Sequence, residues 1–348
     1  MTTPHSASEE TQFADRLIAA ARRNTGRPAL LHKQRGNWVI RRWSDVLNEI
    51  DRLAGGLRHL GLSAGGQVVV DGEITARLFL VSAAIRALGG RILAVPVSAS
   101  RLERDHVLDD PSVDLVIAQG RDTVAEWSAA SHSRRRVPII FDHATPDSRS
   151  PGEGIVTLAR LRTLGERAEW SKDIPAGPRA RSLPVTWFEE STDWREGLDI
   201  LLDHWVSSGE PVALPELLAA AARDRLELAP QNWIASRPRL EFNEGSIRDR
   251  LPDRKSVAGW LVDGALRGAR APWFSLTRGQ LRNQLGLRRL TGIDIYPGHE
   301  PGRAPVLFRQ LGLELNLIGQ RTSPDHAVAP VQAGKTYARR LAAAAVLP

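Results

Sequence analysis

Largely apolar strands alternating with amphipathic helices predict an α/β protein, built from βαβ-type sheets flanked by helices. Two observations carry this. Val68-Val69-Val70, Ile92 to Pro96, Leu115-Val116-Ile117-Ala118 and Val137 to Phe141 are nearly continuous apolar runs, as strands covered on both faces are. The segments between them repeat their apolar residues at helical spacing. With 348 residues, 42% of them hydrophobic, the chain can bury a large core, in one big domain or two.

Taken in order, Phe13 to Arg23 reads as a helix with Phe13, Leu17, Ile18 and Ala21 on one side. Ala29–Leu31 and Trp38–Ile40 flank Arg35-Gly36-Asn37 as a hairpin. Ser44 is the expected cap of a helix carrying Val46, Leu47, Ile50, Leu53, Leu57 and Leu60, which Gly61 stops. Helices follow at Ile74–Leu88, Arg101–Leu108 and Thr123–Ala130. From Asp142 to Pro184 the composition turns to Pro, Gly, Ser and Arg, with one helical piece expected at Gly154–Glu169. Beyond it, Ser256–Leu266 and Leu276–Leu285 read as amphipathic helices with Trp260, Leu261, Ala265, Leu281 and Leu285 as core candidates. Gly292–Ile295 reads as a strand, and Ala342–Val346 as a terminal helix. Between them, Leu307 to Leu311 reads as a short helix closed by Gly312. Leu313, Leu315 and Leu317 then alternate with polar residues as a half-buried strand.

The formal net charge of +7 is carried almost wholly by arginine, since Lys33, Lys172, Lys255 and Lys335 are the only lysines. The arginines are scattered, and the densest clusters, Arg134-Arg135-Arg136 and Arg179/Arg181, fall in expected loops, which argues against specific nucleic-acid binding. No apolar run reaches the length of a bilayer span and Met1–Glu10 is polar, so a cytoplasmic protein without a transmembrane segment is expected. The absence of cysteine excludes disulfides, thiolate nucleophiles and cysteine-zinc sites. The nine histidines include no close pair at metal-ligand spacing, and no metal site is expected.

Gly334-Lys335-Thr336 fails as a nucleotide loop because Ala329 stands where its first glycine would fall. Asp71-Gly72-Glu73, between a strand and a helix, reads as acidic capping of that helix. Glu189-Glu190 and Asp109-Asp110 are adjacent in sequence and so are not placed as a catalytic dyad on one helix face. The ten tryptophans are spaced as single anchors of separate elements, which is the habit of core residues.

Several stretches resemble the long-chain acyl-CoA synthetases of the adenylate-forming, AMP-binding superfamily. The run from Arg27 to Val70 looks like the family's opening hairpin, long helix and first buried strand, and Leu78–Ser100 like its next helix and strand. Leu183–Ser191 (LPVTWFEES) is similar to a family segment of the acyl pocket. Ser208–Leu217 and Glu227–Phe242 resemble further segments, with Ser236-Arg237-Pro238-Arg239 at the family's Pro-Arg turn. Leu307–Thr322 resembles the helix and strand that end in Tyr-Gly-Gln-Thr-Glu.

The resemblance implies two AMP-binding-like subdomains at 1–145 and 185–326, a linker at 146–184 in place of the phosphate loop, and a tail at 327–348. It implies vestigial substrate-binding positions at Trp187, Trp233, Gly298, Gly319 and Gln320, with Trp205 also near the acyl tunnel. Ile318, Arg321 and Thr322 stand where the family has its adenine-facing tyrosine, its phosphate-side threonine and its magnesium-holding glutamate. Ser171–Ser182 has no Ser/Thr/Gly-rich run ending in Pro-Lys-Gly, and His299 and Glu300 add bulk to a small-residue loop. The family's ATP, Mg2+ and CoA are therefore expected to find few determinants, and the C-terminal catalytic lobe is expected to be missing.

The expectation is a pseudoenzyme with no catalytic residue, which binds or scaffolds a full-length acyl-CoA synthetase or forms a homo-oligomer. A fatty-acid or acyl-CoA binder with a residual acyl pocket is the first alternative, and a residual long-chain fatty acid-CoA ligase the second.

Overall fold

The computed structural model describes residues 6–133, 137–142, 154–167, 169–170, 184–296 and 305–318. The chain forms two compact units with interleaved segments. One holds the described residues through Trp170 together with Ser191–Leu214, and the other holds Pro184–Glu190 together with the described residues from Pro215 onward. Residues 191–214 thus lie with the first unit, where contiguous subdomains would have put them in the second.

The first unit opens with α1 (Ser6–Arg23), β1 (Pro28–Gln34), β2 (Asn37–Arg42), α2 (Trp43–His59), β3 (Gln67–Asp71), α3 (Ala76–Ala87) and β4 (Arg91–Ala94). It continues through α4 (Arg101–Leu108), β5 (Val113–Gln119), α5 (Arg121–Ser133), β6 (Ile139–Asp142), β7 (Ile155–Thr157) and α6 (Leu158–Leu161). The second unit contributes β8 (Thr186–Trp187), and the chain returns to the first for α7 (Gly197–Ser208) and β9 (Val212–Leu214). The second unit is completed by α8 (Ala221–Leu228), β10 (Asn232–Ser236), α9 (Arg237–Arg248), α10 (Val257–Leu266), α11 (Pro272–Gln284), β11 (Gly292–Tyr296), α12 (Val306–Gln310) and β12 (Glu314–Leu317).

In the first unit, five parallel strands lie in the order β4-β3-β5-β6-β7. Val69, Val116 and Ile139 pack there with Leu108, Val124 and Trp127 from the helices. The hairpin β1–β2 turns through Arg35 and Gly36, both at positive φ, and β9 pairs in parallel with β1. Positive φ at two successive residues suits the twist of a two-residue hairpin turn. A second core joins α2, α3 and α7: Trp43 stacks on Trp205 at 4.4 Å and Phe79 meets the same indole edge-on. In the second unit the order is β12-β11-β10-β8, all parallel.

Several expectations are corrected locally. Ser44 does not cap α2: Arg42 occupies the cap, and its backbone N–H donates to Asp45 at 3.2 Å. The third helix is capped by Thr75, whose hydroxyl accepts from the Leu78 N–H, and not by the acids of Asp71-Gly72-Glu73. The piece at 154–169 begins as strand β7, and only the short α6 is helical. Leu313 is buried but Leu317 is 65% exposed, because among the described residues β12 pairs on one side only and its outer end is uncovered.

Gly55 and Gly56 sit inside α2, where glycine costs about 1 kcal/mol relative to alanine. Their cause is contact: a methyl at Gly56 would overlap the Leu161 carbonyl and side chain, and one at Gly55 would overlap the Glu166 carbonyl. Gly56→Ala is expected to destabilise the protein by about 1–3 kcal/mol despite alanine's better helix propensity. A chemical-denaturation midpoint unchanged or raised would show that this approach is not tight.

Candidate functional site

Strands that run in parallel carry their ligands, where they have any, outside the strands' carboxyl ends. In the second unit β8 and β10 end side by side, with Trp187 in register with Trp233. Beyond β8 the chain continues as Phe188-Glu189-Glu190, all buried. Beyond β10, Ser236 caps α9 by accepting from the Arg239 N–H, and Pro238 sits in the helix's first turn, where a missing N–H costs nothing.

Two carboxylates meet two guanidinium groups at this edge. Glu189 accepts through one oxygen from Arg225 Nη1 at 2.7 Å and Trp187 Nε1 at 2.6 Å, and through the other from Asn243 Nδ2 at 2.7 Å. Glu190 accepts from the Ser236 N–H at 2.7 Å and the Ser236 hydroxyl at 3.1 Å, with Arg239 Nε at 3.7 Å. The Arg225 guanidinium lies over the Trp233 indole, 4.3 Å from its centroid, and Phe308 packs edge-on against the same ring. Exposure decides what this cluster can do. Glu189 and Glu190 are each 1% exposed, Arg225 2%, Arg239 3%, and both tryptophans 0%.

Burial pushes the Glu190 carboxyl up to about 7, against the opposing pull of Arg239 and the Ser236 donors, and Glu189 pushes it further in the same direction. A carboxyl poised near neutrality is a general acid–base candidate where a substrate can reach it. Here its oxygens are taken by backbone, hydroxyl and guanidinium in the interior, so the arrangement works as a neutralised lock between β8, β10, α8 and α9.

Another buried carboxylate, Asp71, lies in the first unit, at the end of β3. Asp71 Oδ2 accepts from Arg104 Nη2 at 3.0 Å, Arg104 Nε at 3.1 Å and Trp127 Nε1 at 2.8 Å. Arg104 also pairs with Glu126 at 2.6 Å. Burial raises the Asp71 carboxyl, with Arg104 the largest opposing influence. Strand order changes direction at β3, so this is a switch point of the sheet, and it is filled by side chains. Gly72 exchanges hydrogen bonds with Thr192, and Gln119 accepts from the Glu73 N–H.

Of the sequence-predicted positions, Trp187 and Trp233 come together as core residues, joined by Glu189 and Arg225. Trp205 belongs to the first unit's core and not to their cluster. Ile318 follows β12, half-buried, and donates its N–H to the Ile295 carbonyl. Gly298, Gly319, Gln320, Arg321 and Thr322 lie outside the described residues, as do Ser171–Ser182, His299 and Glu300. Sequence reasoning gave Arg104, Arg225, Arg239 and Asn243 no site role because each stands among other polar residues of its helix and converges on its carboxylate only through the fold.

At the position where the resemblance implies an adenine-facing aromatic ring, Ile318 offers an aliphatic side chain. Among the described residues no group of three or more His, Asp or Glu is placed to hold a metal ion.

Two consequences are measurable. Trp187→Phe removes the bond to Glu189 and is expected to cost about 1–3 kcal/mol. Trp233→Phe is expected to cost less, because Trp233 Nε1 has no hydrogen-bond partner among the described residues. Equal losses in denaturant unfolding would contradict the assignment. The Glu190 carboxyl has its folded pKa above its ordinary 4.5, so the folded protein keeps a proton that the unfolded chain releases. The stabilisation is full below about pH 4.5 and is lost as pH rises through about 7, up to about 3 kcal/mol in all. Glu190→Gln is expected to remove that part of the pH dependence, read as the difference between the two unfolding profiles.

No protein-family model and no curated protein sequence matches the chain. Solved structures do. The A domain of a carboxylic acid reductase from Segniliparus rugosus, in complex with AMP and a co-purified carboxylic acid, matches with TM-score 0.61 at 12% identity, over 90% of this chain and 61% of that one. A long-chain-fatty-acid-CoA ligase from Archaeoglobus fulgidus matches with TM-score 0.59 at 11% identity, over 89% and 64%. Acetoacetyl-CoA synthetase from Streptomyces lividans matches with TM-score 0.56 at 14% identity, over 88% and 50%. This chain thus spans between half and two thirds of the length of these neighbours, and over that part its fold is that of the adenylate-forming acyl-CoA ligases and adenylation domains.

Proposed function

We propose that this chain is a catalytically degenerate acyl-CoA synthetase-like protein that serves as a binding or scaffolding partner of an active acyl-activating enzyme. The observation that carries the reading is the closed state of the Trp187–Trp233 edge. A strand pair at the acyl-pocket segment of the resemblance is occupied by its own indoles, two carboxylates and two guanidinium groups, all buried. An acyl chain entering there would have to displace a charge-paired core, and breaking one buried pair costs about 3–5 kcal/mol. That cost argues against the acyl-binder alternative at this edge.

The sequence adds a second, independent support. Adenylation needs preorganised donors and a metal around a phosphorus that gains negative charge. Ser171–Ser182 offers no small-residue run ending in Pro-Lys-Gly, and Thr322 replaces the glutamate of the resembled motif. Removing two unrelated contributions to one barrier lowers a rate multiplicatively. The chain shares the fold of such enzymes over the part it matches, and a full-length relative is the simplest partner for it.

With ATP, magnesium, CoA and a series of fatty acids, the purified protein is expected to release no pyrophosphate above the protein-free rate. The tagged protein, isolated from its native host, is expected to carry an acyl-activating enzyme that re-forms the complex from pure components. Fatty-acid-dependent pyrophosphate release would overturn the first half, and failure of the pure components to associate the second.

A further inference from the structure

The charge is not distributed as the linear sequence suggests. Residues 254–289, which span α10 and α11, hold eight arginines and lysines against one acid, Asp263. Eight less one equals the +7 of the whole chain, so all other residues together sum to zero. Arg267 pairs with Asp263 at 2.6 Å. Arg254, Lys255, Arg270, Arg288 and Arg289 are exposed and have no carboxylate at ion-pair distance among the described residues. Arg282 donates to the Leu287 and Leu290 carbonyls; burial, and then the neighbouring charge of Arg278, push its pKa down.

The same hairpin exposes its largest apolar side chains. The helix pair is pinned where the Phe274 ring lies against Gly264, at which a methyl would overlap that ring. Trp260 meets Phe274 edge-on at 5.2 Å, and Trp273 meets it at 6.0 Å. Phe274 is buried, so it holds two indoles at the surface, one from each helix, at 55% and 53% exposure. Val257 and Leu276, three residues from each tryptophan, are 78% and 70% exposed. Trp260, a core candidate by periodicity, is therefore a surface residue. A shallow groove of about 490 Å³ runs from Leu276 past Gln280 and Asn283 to Arg282 and Arg288.

We propose that the α10–α11 hairpin docks on the surface of an anionic phospholipid bilayer, seating Trp260, Trp273, Val257 and Leu276 at the acyl boundary and its unpaired arginines and lysine among the lipid phosphates. The combination selects this partner. Indoles favour the bilayer interface, and basic residues beside them are each worth about 1 kcal/mol at an anionic surface. Nucleic acid would use the charge and a stacked ring, but it leaves exposed Val257 and Leu276 in water. An acidic protein would need to supply carboxylates and an apolar pocket together, whereas a bilayer presents both layers everywhere. No helix among the described residues is long and apolar enough to cross a membrane, so the docking is peripheral. The inference does not depend on the proposed scaffold role.

Sedimentation of the full chain with vesicles tests it. Binding is expected with vesicles of phosphatidylcholine mixed with phosphatidylserine, weak with phosphatidylcholine alone, and reduced by added salt. Arg270→Gln with Arg288→Gln and Arg289→Gln is expected to weaken it by about fivefold per charge at low salt. Val257→Ser with Leu276→Ser alters two side chains that support no core, and is expected to weaken it by about tenfold with the thermal unfolding midpoint unchanged. Equal binding to neutral vesicles, no binding to anionic ones, or indifference to either variant set would overturn the proposal. So would a DNA duplex that displaces the protein from vesicles and binds the Val257/Leu276 variant as tightly as the parent chain.

Discussion

A carboxylate moved out of water costs several kcal/mol unless the fold supplies its partners, and this chain buries several at strand ends, Glu189, Glu190 and Asp71 among them. Glu189, Glu190 and Asp71 are each at most 1% exposed. Much else in both units follows from that constraint. Arg225 must come from α8 and Asn243 and Arg239 from α9, so both helices are tied to the ends of β8 and β10. Arg104 from α4 and Trp127 from α5 are fixed over β3 in the same way. The two solutions share a form, one arginine and one indole N–H on one carboxylate oxygen, though they are built from unrelated elements.

That arrangement bears directly on function. The carboxyl ends of parallel strands are where α/β proteins ordinarily leave room for a ligand. Here both units use that place for internal charge pairing. A catalytic acid must exchange its proton with a substrate, yet among the described residues Glu190 is held by the Ser236 donors and the arginine beside it. Its displaced titration is thus a property of the core, felt in stability and not in a reaction. Perturbed carboxyl groups mark functional sites only where the perturbing burial still leaves a path inward.

The sheets were legible in the sequence because strands covered on both faces lose their alternation; Val68–Val70 and Leu115–Ala118 are short and rich in β-branched residues, which favours strand over buried helix. Helix existence was equally plain, but helix starts were not: Arg42 caps α2 through an Asp45 bond that the serine at 44 obscures. The candidate site was legible in part. Trp187, Trp205 and Trp233 could be marked from family-like segments, but Trp205 belongs to the other unit, and the groups that close around the remaining two have no sequence period. A single arginine on α8 looks like any surface arginine until the fold brings it to Glu189. Periodicity also misplaced Trp260, since α10 is apolar on nearly all sides and only Gly259, Val262 and Ala265 face inward.

The contrast between the two sets of tryptophans ties the proposals together. Trp187 gives its N–H to a buried carboxylate and Trp233 lies under a buried guanidinium, so both are held by charge inside the protein. Trp260 and Trp273 stand on a buried phenylalanine with their rings outward, among positive charges that the protein leaves unpaired. In the proposed reading the first pair takes up the volume in which an acyl chain would lie, and the second presents a surface that an acyl bilayer would satisfy. Long-chain acids partition into membranes because each methylene withdrawn from water contributes about 0.8 kcal/mol. A scaffold for an enzyme acting on such acids gains nothing from an acyl pocket of its own, but it gains proximity from resting where the acids reside. The partner proposal rests on the closed Trp187–Trp233 edge and the membrane proposal on the α10–α11 hairpin, so neither requires the other to hold.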